Sequence, residues 1–471
     1  MIFWEVQVLQ QSKITEYLEA VRQQIRWKRA QAPVLEEIRN HITDQKQAFI
    51  REGLNEETAT ERAIAEMGDP FVVGEQLDRA HRPRSDWPLL VMTAAMLLLG
   101  LVIQYLVGPN IPFGAESFGR QIVWAGIAIL AMFAAYFMDF TILGKYSKGV
   151  FLVLCAITIA SLFGEQVRGS SVAAIYPLLL FPTAFAGVVY SMRNKGYVGL
   201  ALCVAAFMIP AYLSMRIPSV TVLFLLCISY LIILTVAVGK GWFNVRKPLA
   251  ILMMYISTAI ILSATFFTMR DYGYVMRRMQ IVFNPLRDPT ASGYLGSMAQ
   301  LLLSHSQLIG PGLPIKGYGD YSVFRLLPDA NTDYLLTHLV YRFGWIVFIG
   351  IVVLVSIFIM RAILLCKKQK SILGSLVSIA IISTFVIQCI VYIVINLGLL
   401  LLSPVSLPLI SYGGRALVTN MFLIGLMLSV FRTGDLVRDK AGVEGTVVNS
   451  SSFIQYDNGQ IIINLRNPFI K

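Results

Sequence analysis

The sequence predicts an all-α polytopic membrane protein with about ten transmembrane helices, preceded by a small cytoplasmic helical domain. Of the 471 residues, 56% are hydrophobic and only 14% are charged, whereas a soluble chain carries about 25% charged residues. Long apolar runs follow one another between residues 88 and 431, and basic residues are concentrated in alternate connections between those runs. Lipid must therefore be the solvent for most of this chain.

The first part of the chain has a different character. Residues 15–80 are rich in charge, and their apolar residues recur at helical spacing, as at Leu35, Ile38 and Ile42. Turn residues such as Gly68-Asp69-Pro70 separate the helical stretches. We therefore predict a cytoplasmic helical domain over residues 1–85.

Apolar runs then define a membrane domain over residues 86–432. Several of the runs are shorter than the ~20 residues of a nominal span, so their predicted ends are approximate. The runs are residues 88–107, 122–139, 149–163, 174–191, 197–213, 220–238, 248–267, 344–364, 372–395 and 414–431.

Basic residues predict the orientation of these spans. Every second connection carries a basic cluster, such as Lys145 with Lys148, whereas the short connections between carry single arginines. Because lysine and arginine collect in cytoplasmic loops, both termini are expected to be cytoplasmic. The net charge of +12 is then explained by membrane orientation and does not indicate a nucleic-acid-binding protein.

Two segments outside the spans have distinct patterns. Residues 270–343 form a connection far longer than the others, rich in charge, glycine and proline. We expect this loop to be extracellular and functional, because loops of such length usually are. Residues 433–471 are expected to form a cytoplasmic tail with a small hairpin across Asp457-Asn458-Gly459.

Asp333 is the first candidate for chemistry, since it lies where the long loop returns to apolar sequence. Ionisable groups at a membrane boundary are often functional. One interpretation is a helix N-cap, a position that favours Asp and Thr. The other is a general base at the lip of a membrane cavity. Spacing favours the N-cap and leaves the general base open.

Other polar residues also have two interpretations. Arg277 and Arg278 are either solvated loop charges or an anion site, because guanidinium groups bind phosphate oxygens. Residues 407–415 contain proline and a glycine pair, which indicates either a re-entry turn or the lining of a cavity. Asn396, inside the ninth run, needs a polar partner, most simply on a neighbouring helix. The five cysteines lack metal-ligand spacing.

At these residues the sequence resembles the SEDS family (shape, elongation, division and sporulation), which includes FtsW-, RodA- and SpoVE-like proteins. Leu327 to Tyr334 is similar to the family's Leu-Pro-Glu-x-x-Thr-Asp-Phe, and Leu407 to Gly414 is similar to its Leu-Pro-Phe-Ile-Ser-Tyr-Gly-Gly. Weaker similarities cover residues 118–124 and 277–294. Ten spans with both ends inside is also the family architecture. The N-terminal segment resembles a permease prefix domain.

The resemblance implies a peptidoglycan glycosyltransferase that polymerises lipid II at the outer face of the bacterial cytoplasmic membrane, in cell wall synthesis linked to cell shape, division or sporulation. It implies that Asp333 is catalytic, and that a class B penicillin-binding protein is a partner. No cofactor is implied, although a divalent cation between loop carboxylates and a pyrophosphate suits the chemistry. The substrate-binding residues expected are Arg277, Arg278, Arg120, Thr332, Ser411, Tyr412, Gly413 and Gly414.

The sequence also departs from the family pattern. Ala184 and Gly187 stand where the family has Glu and Lys, and Tyr341-Arg342 stands where it has an acidic pair. These departures keep two alternatives open: a non-catalytic scaffold or regulator that retains the fold, and a flippase for lipid-linked precursors, which ten helices could also build.

Overall fold

The computed structural model describes most of the membrane domain and the N-terminal helices. The described residues are 2–83, 85–108, 114–164, 171–217, 219–269, 293–315, 323–328, 330–399, 405–434, 454–457 and 460–463. Helices dominate them, so the predicted all-α polytopic fold class is confirmed.

Four helices precede the membrane: α1 (Ile2–Gln24), α2 (Lys28–Arg51), α3 (Glu56–Met67) and α4 (Pro70–His81). Capping side chains set two of their boundaries. The Asn55 carboxamide accepts the Thr58 N–H at 2.8 Å, and the Asp69 carboxylate accepts the Phe71 N–H at 2.8 Å. Each of these bonds satisfies an N–H that the first turn of a helix leaves without an intrahelical partner. The inward faces of the helices share one core, which includes Ile42.

The membrane part follows as a series of apolar helices. They are α5 (Trp87–Val107), α6 (Gly114–Phe137), α7 (Ile142–Lys145), α8 (Ser147–Leu162), α9 (Val172–Met192), α10 (Gly196–Arg216), α11 (Val220–Gly239) and α12 (Lys247–Met269). After the long connection come α16 (Trp345–Lys368), α17 (Ile372–Asn396) and α18 (Gly414–Thr433).

Nine helices among the described residues are long and apolar enough to cross a membrane. The remaining predicted span, residues 149–163, corresponds to the shorter apolar helix α8. At 1.5 Å per residue, α8 is about 24 Å long, which is less than the ~30 Å of a hydrocarbon core. Each predicted run therefore corresponds to a helix, and α8 is the one that falls short of full spanning length.

The spans differ in how deeply they are buried. Helices α9, α11, α17 and α18 bury most of their side chains, whereas α6, α12 and α16 bury less than a third of theirs. The buried set forms the centre of the membrane core. The start of α9, the end of α17 and the start of α18 border the candidate site described below.

The start of α5 is tied to two other spans. The Asp86 carboxylate accepts the Leu89 N–H at 2.9 Å, which caps α5, and also pairs with the Arg361 guanidinium of α16 at 2.7 Å. The hydroxyls of Ser85 and Tyr136 of α6 lie 2.5 Å apart. The junction between the N-terminal helices and the membrane is therefore fixed by specific polar contacts.

Part of the long connection packs over the C-terminal end of α17. It contains α13 (Tyr294–Ser304), α14 (Val323–Leu326) and α15 (Leu335–Phe343). The Tyr294 hydroxyl donates to the Leu326 carbonyl at 2.8 Å, and the Gln300 carboxamide donates to the Gly398 carbonyl at 2.9 Å. These segments share a small apolar core with Tyr334 and the last turn of α17.

In the C-terminal tail, two strands are described: β1 (Ile454–Asp457) and β2 (Gln460–Ile463). They pair antiparallel, with Ile454 opposite Ile463 and Asp457 opposite Gln460. The strands come directly before and after residues 458–459, where the sequence predicted a hairpin turn.

Candidate functional site

Asp333 lies in a turn, residues 330–334, that leads into α15. The N-cap position of α15 is occupied by Tyr334, so Asp333 stands one residue before it. The N-cap interpretation of Asp333 is therefore wrong. Asp333 is half-buried, at one end of the bundle.

Tyr392 of α17 holds one part of this turn, residues 330–334. Its hydroxyl donates to the Thr332 carbonyl at 2.7 Å and accepts the Leu335 N–H at 3.2 Å. Tyr392 is fully buried. A buried hydroxyl that both donates and accepts is satisfied, and it fixes the backbone on each side of Asp333.

Asn396, one helical turn beyond Tyr392, holds the other part. Its Nδ2 donates to the carbonyl of Asp333 at 2.9 Å, and its Oδ1 accepts the Thr337 N–H at 3.1 Å. The Thr337 hydroxyl donates to the backbone carbonyl of Asn396 at 2.6 Å. Asn396 was expected to bond to a neighbouring helix, and it does so at Thr337 of α15. It also bonds to the turn that carries Asp333.

The segment before α18, residues 405–413, closes the opposite side of the turn. The Tyr412 N–H donates to the Asn331 carbonyl at 3.2 Å, and the Gln104 carboxamide of α5 donates to the same oxygen at 3.2 Å. Segments that are far apart in the sequence thus meet at one backbone carbonyl, two residues before Asp333.

The other predicted residues of this segment have distinct surroundings. Ser411 is buried, and its hydroxyl donates to a backbone carbonyl of its own segment at 3.2 Å. The Gly413 N–H donates to Gln121 Oε1 of α6 at 3.4 Å. A Cβ on Gly414 would clash with the Trp124 ring. Ser411 and Gly414 therefore shape the segment, while Tyr412 and Gly413 are only half-buried.

Two side chains near Asp333 were missed by the sequence prediction. The charges of Asp333 and Arg415 both act on the hydroxyl of Tyr176, near the start of α9. Tyr176 is half-buried and Arg415 is exposed in the first turn of α18. The available signal for Arg415 was an arginine directly after the glycine pair of residues 413–414.

The predicted arginines have other positions. Arg277 and Arg278 lie outside the described residues. The Arg120 guanidinium lies 3.8 Å from the Glu116 carboxylate, one turn earlier on α6, and both side chains are exposed. Such exposed pairs contribute little to stability. Of the predicted cluster, Thr332 belongs to the Asp333 turn, Tyr412 is bonded to that turn, and Gly413 follows Tyr412 in the chain.

Residues 87–435 match the family model of FtsW/RodA/SpoVE cell cycle proteins. This chain belongs to that family. The match covers the membrane domain and leaves out the four N-terminal helices, for which the resemblance to a permease prefix domain stays a prediction.

Relatives and a solved structure agree with the family. The chain is 24% identical over 369 residues to "Probable peptidoglycan glycosyltransferase FtsW" of Trichlorobacter lovleyi, covering 73% of this chain and 92% of that protein. It is 25% identical over 374 residues to "Stage V sporulation protein E" of Bacillus subtilis, covering 74% and 97%. Its fold is similar to a chain of a solved peptidoglycan synthase complex, with TM-score 0.58, 20% identity and coverage of 74% and 98%.

Two departures from the family pattern lie away from the Asp333 turn. Ala184 and Gly187 are about 12 and 16 Å further along α9 than Tyr176, which neighbours Asp333. Ala184 is buried, and a Cβ on Gly187 would clash with the Leu143 carbonyl of α7. In this member of the family, close helix packing therefore occupies the positions of the absent Glu and Lys.

The third departure lies on α15. The Tyr341 hydroxyl donates to the Leu313 carbonyl, in the loop after α13, at 3.1 Å, and Arg342 is exposed. Where the family pattern has an acidic pair, Tyr341 therefore holds this loop against α15.

The binding of a divalent cation by this chain stays a prediction. Among the described residues, no group of three or more His, Cys, Asp and Glu side chains is arranged to hold an ion. The loop carboxylates that a divalent cation was expected to bridge, such as Asp288, Asp320 and Asp329, lie outside that part of the chain.

His338 of α15 is buried beside the Asp333 turn. Its Nδ1 lies 3.4 Å from the Ala330 carbonyl. Burial lowers the pKa of His338 to about 4 from the ordinary 6.5; the nearby carbonyl opposes this shift, and the charge of Arg342 adds to it. The imidazole is therefore neutral at pH 7.

Acidification is expected to destabilise the protein through His338. Because the unfolded chain binds this proton near pH 6.5 and the folded protein does not, stability is full above that pH and is lost as the pH falls toward 4. The loss at pH 5 is about 2 kcal/mol. The thermal midpoint in detergent at pH 7 and pH 5 measures it, and His338→Gln should show the smaller drop. An equal drop in wild type and variant would contradict the assignment.

Proposed function

We propose that this chain is a peptidoglycan glycosyltransferase that polymerises lipid II at the outer face of the bacterial cytoplasmic membrane. The observation that carries the proposal is the half-buried Asp333 on a turn bound from α5, α17 and residues 405–413. A carboxylate acting as a general base must stay within hydrogen-bond reach of the proton it removes. Six hydrogen bonds to the backbone of residues 331, 332, 333, 335 and 337 supply that rigidity.

In the proposed reaction, the Asp333 carboxylate accepts the proton of the acceptor sugar hydroxyl. The oxygen attacks the anomeric carbon of the donor, and the bond to undecaprenyl pyrophosphate breaks with its electron pair leaving on the pyrophosphate. Thr332, which lies in the Asp333 turn, and Tyr412 and Gly413, which lie in the segment bonded to it, are proposed to contact the sugars. Ser411 and Gly414 are proposed to hold the segment in shape.

Arg415, whose position the structure describes, is proposed to offset the charge of the leaving pyrophosphate. Arg415 and Asp333 both lie within electrostatic range of the Tyr176 hydroxyl. Guanidinium groups bind phosphate oxygens bidentately. Arg277 and Arg278 are proposed to reach the same group from the long loop, and Arg120 from α6. Charge supplied at the leaving group is used most fully in the transition state.

The proposed setting follows from charge and similarity. Basic clusters such as Lys367 and Lys368 at the end of α16 support an orientation with both termini in the cytoplasm. A class B penicillin-binding protein is the proposed partner, supported by the similarity to a chain of a peptidoglycan synthase complex. Residues 1–85 are proposed to be a separate cytoplasmic domain, since α1–α4 share their own core.

The experiment is polymerisation of labelled lipid II by the purified full-length protein in detergent, with and without a class B penicillin-binding protein. Glycan polymers longer than the substrate are expected. A chain that binds lipid II and makes no polymer under either condition would be a scaffold or regulator. Movement of lipid II across liposomes without polymer would identify a flippase, and either result would contradict the proposal.

A further inference from the structure

The loop that follows α13, residues 306–314, exposes large apolar side chains. Leu308 is 66% exposed, Ile309 is 69% exposed and Leu313 is 53% exposed. Pro311 and Pro314 are also exposed, and the sequence has no charged residue from 306 to 315. Contiguous exposed apolar residues indicate a surface that contacts something other than water.

Backbone hydrogen bonds hold this loop against the helices on both sides of Gly344. Two N–H groups of the loop donate to the end of α15, and two N–H groups at the start of α16 donate to the loop. The four bonds are Gly310 to Phe343 (3.1 Å), Gly312 to Tyr341 (2.6 Å), Trp345 to Gln307 (3.1 Å) and Ile346 to Leu308 (3.1 Å). The apolar side chains are therefore presented from a fixed backbone.

Gly344 makes this close contact possible. It has φ +95°, and a Cβ there would lie 2.5 Å from the Leu308 carbonyl oxygen. A side chain would therefore be strained and would push the loop away from the helix. The residue is required where the loop meets the two helices.

The loop continues the outward surface of α16. Ile346, Ile349 and Val353 are about half exposed and recur at helical spacing, so they form one stripe on this peripheral span. Ile346 starts that stripe, and its N–H is bonded to Leu308 of the loop. The stripe faces lipid because α16 crosses the membrane, and the loop extends it at the outer end.

We propose that residues 306–314 insert into the outer leaflet, at the boundary between headgroups and acyl chains. The lipid bilayer is the partner that the uncharged surface and its continuity with α16 favour. Irregular backbone cannot enter the hydrocarbon core exposed to lipid, which limits the depth to the interface. The backbone suits that depth, because Pro311 and Pro314 have no N–H to satisfy and Gly310 and Gly312 are already bonded.

Anchoring of this kind has a consequence for Asp333. The loop is bonded to the end of α15, and α15 follows the Asp333 turn directly. The height of the turn above the headgroups is thereby set by the loop. This consequence rests on the proposed function, whereas the insertion itself does not.

The test places an environment-sensitive nitrobenzoxadiazole label on Ile309→Cys and, separately, on Leu313→Cys. The native cysteines are buried or half-buried, so labelled wild type measures the background. The full-length variants are reconstituted in phosphatidylcholine–phosphatidylglycerol vesicles with nitroxide lipids. Both labels should emit at shorter wavelength than a label on Glu52→Cys of the N-terminal helices. They should be quenched more by a nitroxide near the headgroup than by one deep in the chain.

Ile357→Cys, in the middle of α16, is the matched deep control and should show the opposite order of quenching. Gel filtration of each variant checks folding, and Leu308→Cys replaces one that misfolds. Water-like emission at both loop positions, with quenching equal to that of Glu52→Cys, would overturn the proposal. That is the result expected of a surface kept for another protein. Because no substrate is present, failure here leaves the proposed enzymatic function untouched.

Discussion

Replacing Asn396 by leucine is expected to lower both stability and lipid II turnover. The substitution keeps the volume but leaves the Asp333 carbonyl and the Thr337 N–H without their buried partner. Each unsatisfied group costs about 1–3 kcal/mol, so unfolding should become easier by about 2–5 kcal/mol. Displacement of a general base by about 1 Å costs about 100-fold in rate. Thermal unfolding and a polymerisation assay below the melting temperature measure the two effects.

Gln388→Leu is the matched control for Asn396→Leu. Gln388 is also a buried amide on α17, two helical turns deeper, and its Nε2 donates to Asn420 of α18 at 3.4 Å. This variant should lose stability and keep its turnover, because Gln388 does not contact the Asp333 turn. If Asn396→Leu keeps turnover within about threefold while it is folded, the turn does not need the side chain for catalysis.

Replacing Arg415 by glutamine is expected to lower kcat/KM for lipid II by about 10- to 100-fold, which is the loss of one charge-assisted interaction of about 1.5–3 kcal/mol. Arg415 is exposed, so the fold should tolerate the change. Steady-state polymerisation kinetics and binding of undecaprenyl pyrophosphate to the purified protein measure the loss.

Two further variants identify the cause of an Arg415 effect. Arg415→Lys should recover part of the activity, because an ammonium group keeps the charge without the bidentate geometry. Arg342→Gln removes another exposed arginine, one that lies over the Phe343 ring on α15, and should change kcat/KM less than about threefold. Equal losses for Arg415→Gln and Arg342→Gln would point to general surface charge and contradict a specific role.

Hydropathy and charge were sufficient to predict the spans. Each depends on a local property, namely a run of apolar residues or a lysine cluster beside it, as at Lys145 and Lys148. Only α8 proved shorter than a full span. The family motifs singled out Asp333 as a candidate, because the residues that carry the similarity are contiguous in the sequence; its catalytic role stays a prediction.

The surroundings of Asp333 could not be predicted in the same way. Asn396 and Tyr392 are separated from the turn by about 60 residues of sequence. Their hydrogen bonds depend on how α17 packs beneath α15, which no periodicity encodes. The pattern Thr332-Asp333-Tyr334 alone favoured an N-cap, since local spacing cannot reveal that α15 begins one residue later. Arg415 was missed because it and Asp333 are far apart in the sequence. They come within electrostatic range of one hydroxyl, that of Tyr176, which lies on another helix.

The structure also changes the interpretation of the departures from the family pattern at Ala184 and Gly187. In the sequence they removed two charges from a motif and favoured a non-catalytic scaffold. In the structure they lie about 12 and 16 Å along α9 from the level of Tyr176, and Gly187 is pressed against α7. The absence of the family's Glu and Lys therefore concerns packing at a distance from Asp333. It does not remove the carboxylate proposed to carry the chemistry.

Asp333→Asn tests the account's central claim most directly, because the amide keeps the shape of the carboxylate and cannot accept the proton. Lipid II binding and lipid II polymerisation are measured on the same purified samples, with Glu116→Gln as a control carboxylate on the same side of the membrane. The account predicts wild-type binding and thermal stability, and polymerisation at least ~100-fold slower. Polymerisation by Asp333→Asn at the wild-type rate would contradict it.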